Sequence, residues 1–403
     1  MLRCQCSHIK HLIEIIIVSF LAFSSFSIYA SEYSVYKNAL QNLREERSFY
    51  KLNYTEEILL KLDEKAYRGK TYSRYLRLLY SAMDEVEAIL GHRLINSDDT
   101  QSDQYRGVVF LDAGHGGTDP GATVPPFMAD RPEMLLAESD ITFEISGILK
   151  DQLAKNGYLV ILSREHISEG YSLFVRSVLC RAIRPDIAVS VHLNSSQYAY
   201  PVFDRADTAL PELNYTRVYV WAPAPEDLLY PFYKEMHKRI LESNTRQQSL
   251  TLADSIANEL RTELQLDFTL PPDLQVKLAQ IKELRKQLSE QLVAIKTPTY
   301  PRELYEDIIP EDILRENIDI SSSYKLDIQS FPGVEGADLH LVREMPQIPS
   351  VLVEPIFISC PQEQSLLLND QRKQQIATGI FKGIIAYFEK KENGTVTYYS
   401  VGD

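Results

Sequence analysis

Short apolar runs alternate with amphipathic stretches along the chain between residues 107 and 388. The apolar runs are rich in β-branched side chains, as buried strands are, and cover residues 108–111, 158–162, 187–191, 218–221 and 350–353. Between them, apolar residues recur at the three- and four-residue spacing of helices, at residues 141–153, 174–183, 249–264 and 371–388. This alternation predicts an α/β fold, with a mostly parallel, twisted sheet and helices on both of its faces.

The region ahead of this pattern is rich in tyrosine and is predicted to be helical. Apolar residues recur with helical spacing at 56–62 and 75–90, and a polar linker follows at 96–103. No set of residues suited to catalysis stands out there. We therefore predict a helical accessory region at 31–104, an α/β domain at 105–392 and a C-terminal tail at 393–403.

A long insertion interrupts the alternation at about residues 267–332, before the last predicted strand. Its first part predicts a helix with one apolar stripe, formed by Leu274, Leu278, Ile281, Leu284, Leu288, Leu292 and Ile295. Its second part, through residues 321–323, is acidic and is predicted to be loop-like. A connection of this length between two strands needs an explanation of its own.

The first thirty residues have the layout of a secretory signal peptide. Arg3 and Lys10 give a weakly basic start, residues 15–23 are apolar, and mostly small residues lead to a plausible cleavage site after Ala30. A retained N-terminal anchor is the alternative, because the acidic Glu14 and the weakly basic start both depart from a standard signal peptide. In either case the bulk of the chain is exported, and no stable membrane span is expected after cleavage of residues 1–30.

Charge and cysteine content exclude several classes of protein. A formal net charge of -14 argues against nonspecific binding to nucleic acid or to an anionic membrane surface. Beyond the signal segment only Cys180 and Cys360 remain, so the fold is not a disulfide scaffold, and the sequence contains no CxxC motif for a thiolate zinc site. We expect two buried thiols, with a single bridge as the alternative.

Four side chains suited to metal chemistry can face the carboxyl edge of the predicted sheet. His115 lies on a glycine-rich turn after the first strand, His192 follows the third strand and Glu354 ends the fifth, while Glu138 opens the helix after the first turn. In open α/β sheets this edge is where sites form. Two imidazoles and a carboxylate are the ligand set of a catalytic zinc, and a further carboxylate can serve as general base.

The motifs around these residues resemble those of the zinc-dependent N-acetylmuramoyl-L-alanine amidases. The resemblance runs in the family's order through residues 112–122, 138–141, 156–164, 190–195 and 349–363. It covers about residues 107–388 apart from the insertion, and several spaced motifs in order make a specific signal.

The resemblance implies that His115, Glu138 and His192 bind Zn²⁺ and that Glu354 is the general base. Glu133 and Glu144 are rivals for the second ligand position, and Glu138 is preferred because it keeps the family's spacing to Gly157. The implied reaction is hydrolysis of the amide between N-acetylmuramic acid and L-alanine of the peptidoglycan stem peptide. The α/β domain at 105–392 is then the zinc amidase catalytic domain.

Two other functions stay open on the sequence: a non-catalytic homologue that binds cell wall or a partner, and a zinc peptidase acting elsewhere in the stem peptide. In some relatives an inserted helix blocks the zinc until a partner removes it. The insertion at 267–332 is therefore either a regulatory lid on which a protein activator acts or an additional packing helix. A periplasmic enzyme acting on peptidoglycan suits the exported chain best.

Overall fold

A computed structural model of the chain describes residues 29–63, 71–97, 103–124, 136–202, 205–223, 237–240, 243–296 and 311–393. The predicted signal peptide, apart from its last two residues, and the rival ligand Glu133 lie outside these residues, as does the tail beyond residue 393. Within the described ranges, no helix has both the length and the apolar character needed to cross a bilayer.

The centre of the molecule is a six-stranded sheet of β3 (Gly107–Ala113), β6 (Tyr158–Leu162), β7 (Ile187–Val191), β8 (Arg217–Trp221), β9 (Val334–Ala337) and β10 (Ser350–Glu354). The strand order across the sheet is β6-β3-β7-β10-β8-β9. All neighbours pair in parallel except β10 and β8, which are antiparallel. The small two-stranded pairings are β1 (Tyr29–Ala30) with β2 (Asp103–Gln104) and β4 (Thr123–Val124) with β5 (Leu136–Ala137). The predicted mostly parallel sheet is confirmed.

Helices cover both faces of the sheet, as predicted. One face packs against α4 (Glu138–Lys155), α6 (Thr245–Leu264) and α11 (Gln371–Glu392). The other packs against α1 (Glu32–Asn53), α3 (Tyr72–Asn96) and α5 (Leu173–Ile183), with α2 (Glu56–Asp63) at the margin. Four further helices are α7 (Pro272–Lys296), α8 (Glu311–Ile328), α9 (His340–Arg343) and α10 (Pro361–Leu368).

The N-terminal helices share a hydrophobic core with the sheet. Leu79, Met83 and Val86 of α3 are fully buried in the same cluster as Phe110 of β3 and Ile161 of β6. Hydrogen bonds also join α3 to the end of β6, because the Arg93 guanidinium donates to the carbonyls of Leu162 and Ser163 at 2.9 and 3.2 Å. α1 begins with a capping box in which Ser31 and Ser34 satisfy each other's backbone N–H groups.

The prediction of a loop in the second part of the insertion is wrong, because residues 311–328 form the helix α8. Tyr324 and Ile328, one helical turn apart, are buried in the main core, and the Arg246 guanidinium lies 3.7 Å from the centre of the Tyr324 ring. Packing of these residues outweighs the weak helix propensity of the three serines at 321–323. The helix predicted in the first part is present as α7.

The sequence pattern also missed β9 and left the cysteines open. β9 is an edge strand of sequence Val-Glu-Gly-Ala in which only Val334 is buried, so it carries no apolar run. Cys180 and Cys360 are both free and buried, which confirms the expectation of two thiols.

Candidate metal centre

Glycines bring the loop after β3 close to the other strand ends. His115, Gly116, Gly117 and Gly121 all have positive φ angles, which fold the loop back over the end of the sheet. A Cβ at Gly114 would lie 2.6 Å from Cε1 of His192, and one at Gly121 would lie 2.5 Å from Cδ2 of His115. The backbone can pass these imidazoles only because both positions lack a side chain.

His115, Glu138 and His192 converge on one point at the carboxyl edge of the sheet. Each offers a ligand atom, and the three atoms lie within 4.8 Å of one another. Oε1 of Glu138 is 3.2 Å from Nε2 of His115 and 3.0 Å from Nδ1 of His192. Within the described residues this is the one such cluster of His, Cys, Asp and Glu side chains.

Hydrogen bonds fix the orientation of each of these side chains. Nδ1 of His115 lies 2.8 Å from Oδ2 of Asp119, which only accepts, so Nδ1 carries the proton and Nε2 turns to Glu138. The backbone N–H groups of Ala122 and Leu193 each donate to Glu138, both at 2.9 Å. A carboxylate or carbonyl behind a ligating histidine is the usual second layer of a metal site.

The electrostatics of the cluster favour a cation. Burial disfavours the charged form of Glu138, yet its hydrogen bonds to His115 and His192 hold the pKa of this carboxyl well below its usual range. Burial likewise favours neutral His115, but the carboxylates of Glu138 and Asp119 outweigh it and raise the pKa of His115 to about 9. Two imidazole nitrogens and a buried carboxylate around one point fit a zinc ion with a fourth position left open.

Buried arginines hold the loop that carries His115. Arg176 of α5 donates to Oδ1 of Asp112 at 2.9 Å, to the carbonyl of Ala113 at 2.7 Å, and to the carbonyl of His115. Arg164 donates to the carbonyls of Ser139 and Gly114 at 2.6 and 3.3 Å. Arg176 was missed in the sequence, although a charged residue among the apolar positions of 173–183 was a usable signal.

Glu354 lies beside the cluster on the same edge. The N–H of His192 donates to the carbonyl of Val353 at 2.9 Å, so the residue after Val353 and the imidazole occupy neighbouring strand ends. Burial raises the pKa of Glu354 to about 7, although His192 opposes the shift. A carboxyl in this range can both accept and return a proton near neutral pH.

The rival ligand Glu144 is placed elsewhere. Its Oε2 lies 2.5 Å from Nζ of Lys373 on α11, so it is engaged on the outside of α4. Of the four preferred residues, three form the cluster and Glu354 lies next to it.

An open α/β sheet with a His-Glu-His cluster and an adjacent buried carboxylate at its carboxyl edge is a layout typical of metal-dependent hydrolases. A sequence model described as N-acetylmuramoyl-L-alanine amidase matches residues 109–297 and 314–386, more than half of the chain. The chain belongs to the N-acetylmuramoyl-L-alanine amidase family.

Individual relatives match over shorter segments. The chain is 33% identical over 91 residues to N-acetylmuramoyl-L-alanine amidase AmiA of Salmonella typhimurium, which is 22% of this chain and 32% of the relative. It is 37% identical over 90 residues to AmiC of Neisseria meningitidis, covering 22% of this chain and 20% of the relative. These matches therefore span about a third or less of the curated relatives' length. A solved structure, the amidase AmiC2 of Nostoc punctiforme, is 18% identical with a TM-score of 0.39, over 70% of this chain and 97% of that one.

Proposed function

We propose that this protein is a zinc-dependent peptidoglycan hydrolase that cleaves the amide between N-acetylmuramic acid and L-alanine of the stem peptide. The observation that carries the proposal is the convergence of His115, His192 and Glu138 within 4.8 Å, beside Glu354. The three clustered residues hold the metal, and Glu354 is the general base. Membership of the amidase family supports the choice of bond.

When bound, the zinc ion supplies Lewis acidity to the amide carbonyl and lowers the pKa of the attacking water. The carboxylate of Glu354 accepts a proton from that water as the water oxygen attacks the carbonyl carbon. The carboxylic acid so formed gives the proton to the alanine nitrogen as the carbon–nitrogen bond breaks. Asp119 keeps the His115 ring oriented through its Nδ1, and the backbone N–H groups of Ala122 and Leu193 hold the Glu138 carboxylate in position.

Digestion of purified sacculi by the full-length protein tests this function. We expect new free amino groups, and identification of the released ends should give L-alanine. Other amino-terminal residues would instead identify a zinc peptidase, and no released ends would identify a non-catalytic binding homologue.

Export and domain organisation follow the same proposal. An enzyme with this substrate works outside the cytoplasmic membrane, and the N-terminal sequence suits delivery to the periplasm. We keep the catalytic domain at 105–392, with residues 31–104 as a helical region that covers one face of its sheet.

The insertion packs against the segments that follow His192 and Glu354. Ile281 of α7 is buried with Leu210, Leu213 and Phe357, and Arg285 donates to the carbonyls of Thr208 and Tyr200. An activator that lifts α7 would therefore disturb the neighbourhood of the site. Deleting residues 271–323 should raise activity if α7 is a lid, whereas unchanged or lost activity would count against a lid.

A further inference from the structure

A groove of about 690 Å³ lies between the two ends of the insertion and the edge of the sheet. One wall comes from the entry to the insertion, including Phe268, and the other from its exit, including Ile328 and Phe331. The floor is β9 with the residues just before it. Gly333 has a positive φ, and a side chain there would overlap the Phe268 ring, so the groove depends on a glycine at this point.

The groove opens at the same edge of the sheet as the metal cluster. β8 is antiparallel to β10, so its first residue, Arg217, lies directly opposite Glu354, the last residue of β10. β9 runs parallel to β8 and begins next to it, which places Glu335 at this edge as well. Arg217 and Glu335 both line the groove, which therefore lies one to two strand spacings, about 5–10 Å, from the strand that carries Glu354.

The charges in the groove favour an anionic ligand, in contrast with the chain's net charge of -14. Arg217, Arg261 and Lys325 line it, against two acidic side chains, Asp267 and Glu335. Arg217 is committed to the protein, since Nε bonds to Glu335 at 3.0 Å and Nη1 to the carbonyl of Phe268. Arg261 pairs with Asp267 at 3.2 Å, but both side chains are more than half exposed, so the pair is weak and can exchange for a ligand carboxylate.

We propose that this groove binds the carboxylate-bearing part of the stem peptide, on the leaving-group side of the scissile amide. The inference rests on the proposed function and adds a recognition site to it. An extended peptide advances about 3.3 Å per residue, so the two or three residues after the cleaved amide reach from Glu354 across β8 and β9. Their carboxylates meet Arg261 and Lys325, while their apolar parts contact Phe268 and Phe331. The insertion thus contributes peptide specificity through its two ends.

Binding of free peptides to the full-length, zinc-loaded Glu354→Gln variant tests the groove without turnover. The probes are a labelled tetrapeptide with L-alanine first and glutamate second, and the same peptide with its carboxylates amidated. We expect the acidic peptide to bind about tenfold more tightly by fluorescence anisotropy, as two partly exposed ion pairs allow. Arg261→Glu combined with Lys325→Glu should abolish this preference.

The matched control reverses Lys51 and Arg77, which are exposed on the N-terminal helices α1 and α3, and should keep the preference. Equal binding of the two peptides, or a preference that survives reversal of Arg261 and Lys325, would overturn the groove assignment. Failure of the proposed function is read separately, because it appears as no release of alanine amino groups from sacculi by the unmodified protein.

Discussion

Nδ1 of His115 donates to Asp119 across 2.8 Å, and this bond turns the opposite nitrogen of the ring toward Glu138. Asp119→Asn removes the charge that fixes the ring and leaves all three proposed ligand residues in place. We expect zinc affinity to fall about 10- to 100-fold, as when other carboxylates behind ligating histidines are changed. Competition with a chelator measures this. Asp151→Asn, on the exposed side of α4, is the control, and equal affinity in both variants would exclude an orienting role for Asp119.

Glu354→Gln separates metal binding from proton transfer. The amide has nearly the shape of the carboxyl but cannot accept the proton from water, so we expect turnover of sacculi to fall about 10²- to 10⁴-fold. The zinc content measured after dialysis should stay at that of the unmodified protein, because Glu354 lies outside the cluster. A variant that keeps full turnover would remove Glu354 from the mechanism.

Gly114→Ala tests how tightly the loop and the imidazole fit together. The backbone of Gly114 is not in the left-handed region, so the obstacle is the added Cβ, which would lie 2.6 Å from the His192 ring. We expect the ring to be displaced and zinc affinity to fall at least about tenfold, by the same reasoning as for a misoriented ligand. Chelator competition and thermal unfolding give the two readouts.

Gly147→Ala is the control for that substitution. It lies within α4 with no atom near the added Cβ, so zinc affinity should not change. Stability should rise by about 0.5–1 kcal/mol from improved helix propensity. If both variants lose zinc equally, the contact between Gly114 and His192 does not govern the site.

His340 should make stability depend on pH between about 4 and 6.5. Burial lowers the pKa of His340 to about 4. Nη2 of Arg343 donates to Nδ1 of His340 at 2.9 Å, and Nδ1 can accept this bond only while the ring is neutral. In this window the unfolded chain binds a proton that the folded chain does not, so stability falls as the pH decreases through it. The loss is about 1–3 kcal/mol by urea denaturation. His340→Asn, which keeps an acceptor for Arg343, should flatten the curve, and an unchanged slope would assign the dependence to other groups.

The sequence predicted the strands of the metal edge well because each is a buried apolar run that ends in a chemically distinctive residue. The resemblance to the amidases also favoured Glu138 over Glu144, and the structure places Glu144 against Lys373. What the sequence could not predict depends on contacts between distant segments. α8 forms because Tyr324 and Ile328 pack against the core, and the position of Arg217 opposite Glu354 depends on the direction of β8, which periodicity does not determine.

The shared core of α1, α3 and the sheet has a consequence for the chain as a folding unit. Leu79, Met83 and Val86 cover the sheet face that carries Phe110 and Ile161. Neither the helices nor the sheet can therefore bury its apolar surface without the other. A shortened protein that starts after the linker would present this surface to water and should self-associate. Truncation at a boundary drawn from chemistry alone would therefore cost solubility even though every metal-binding residue was retained.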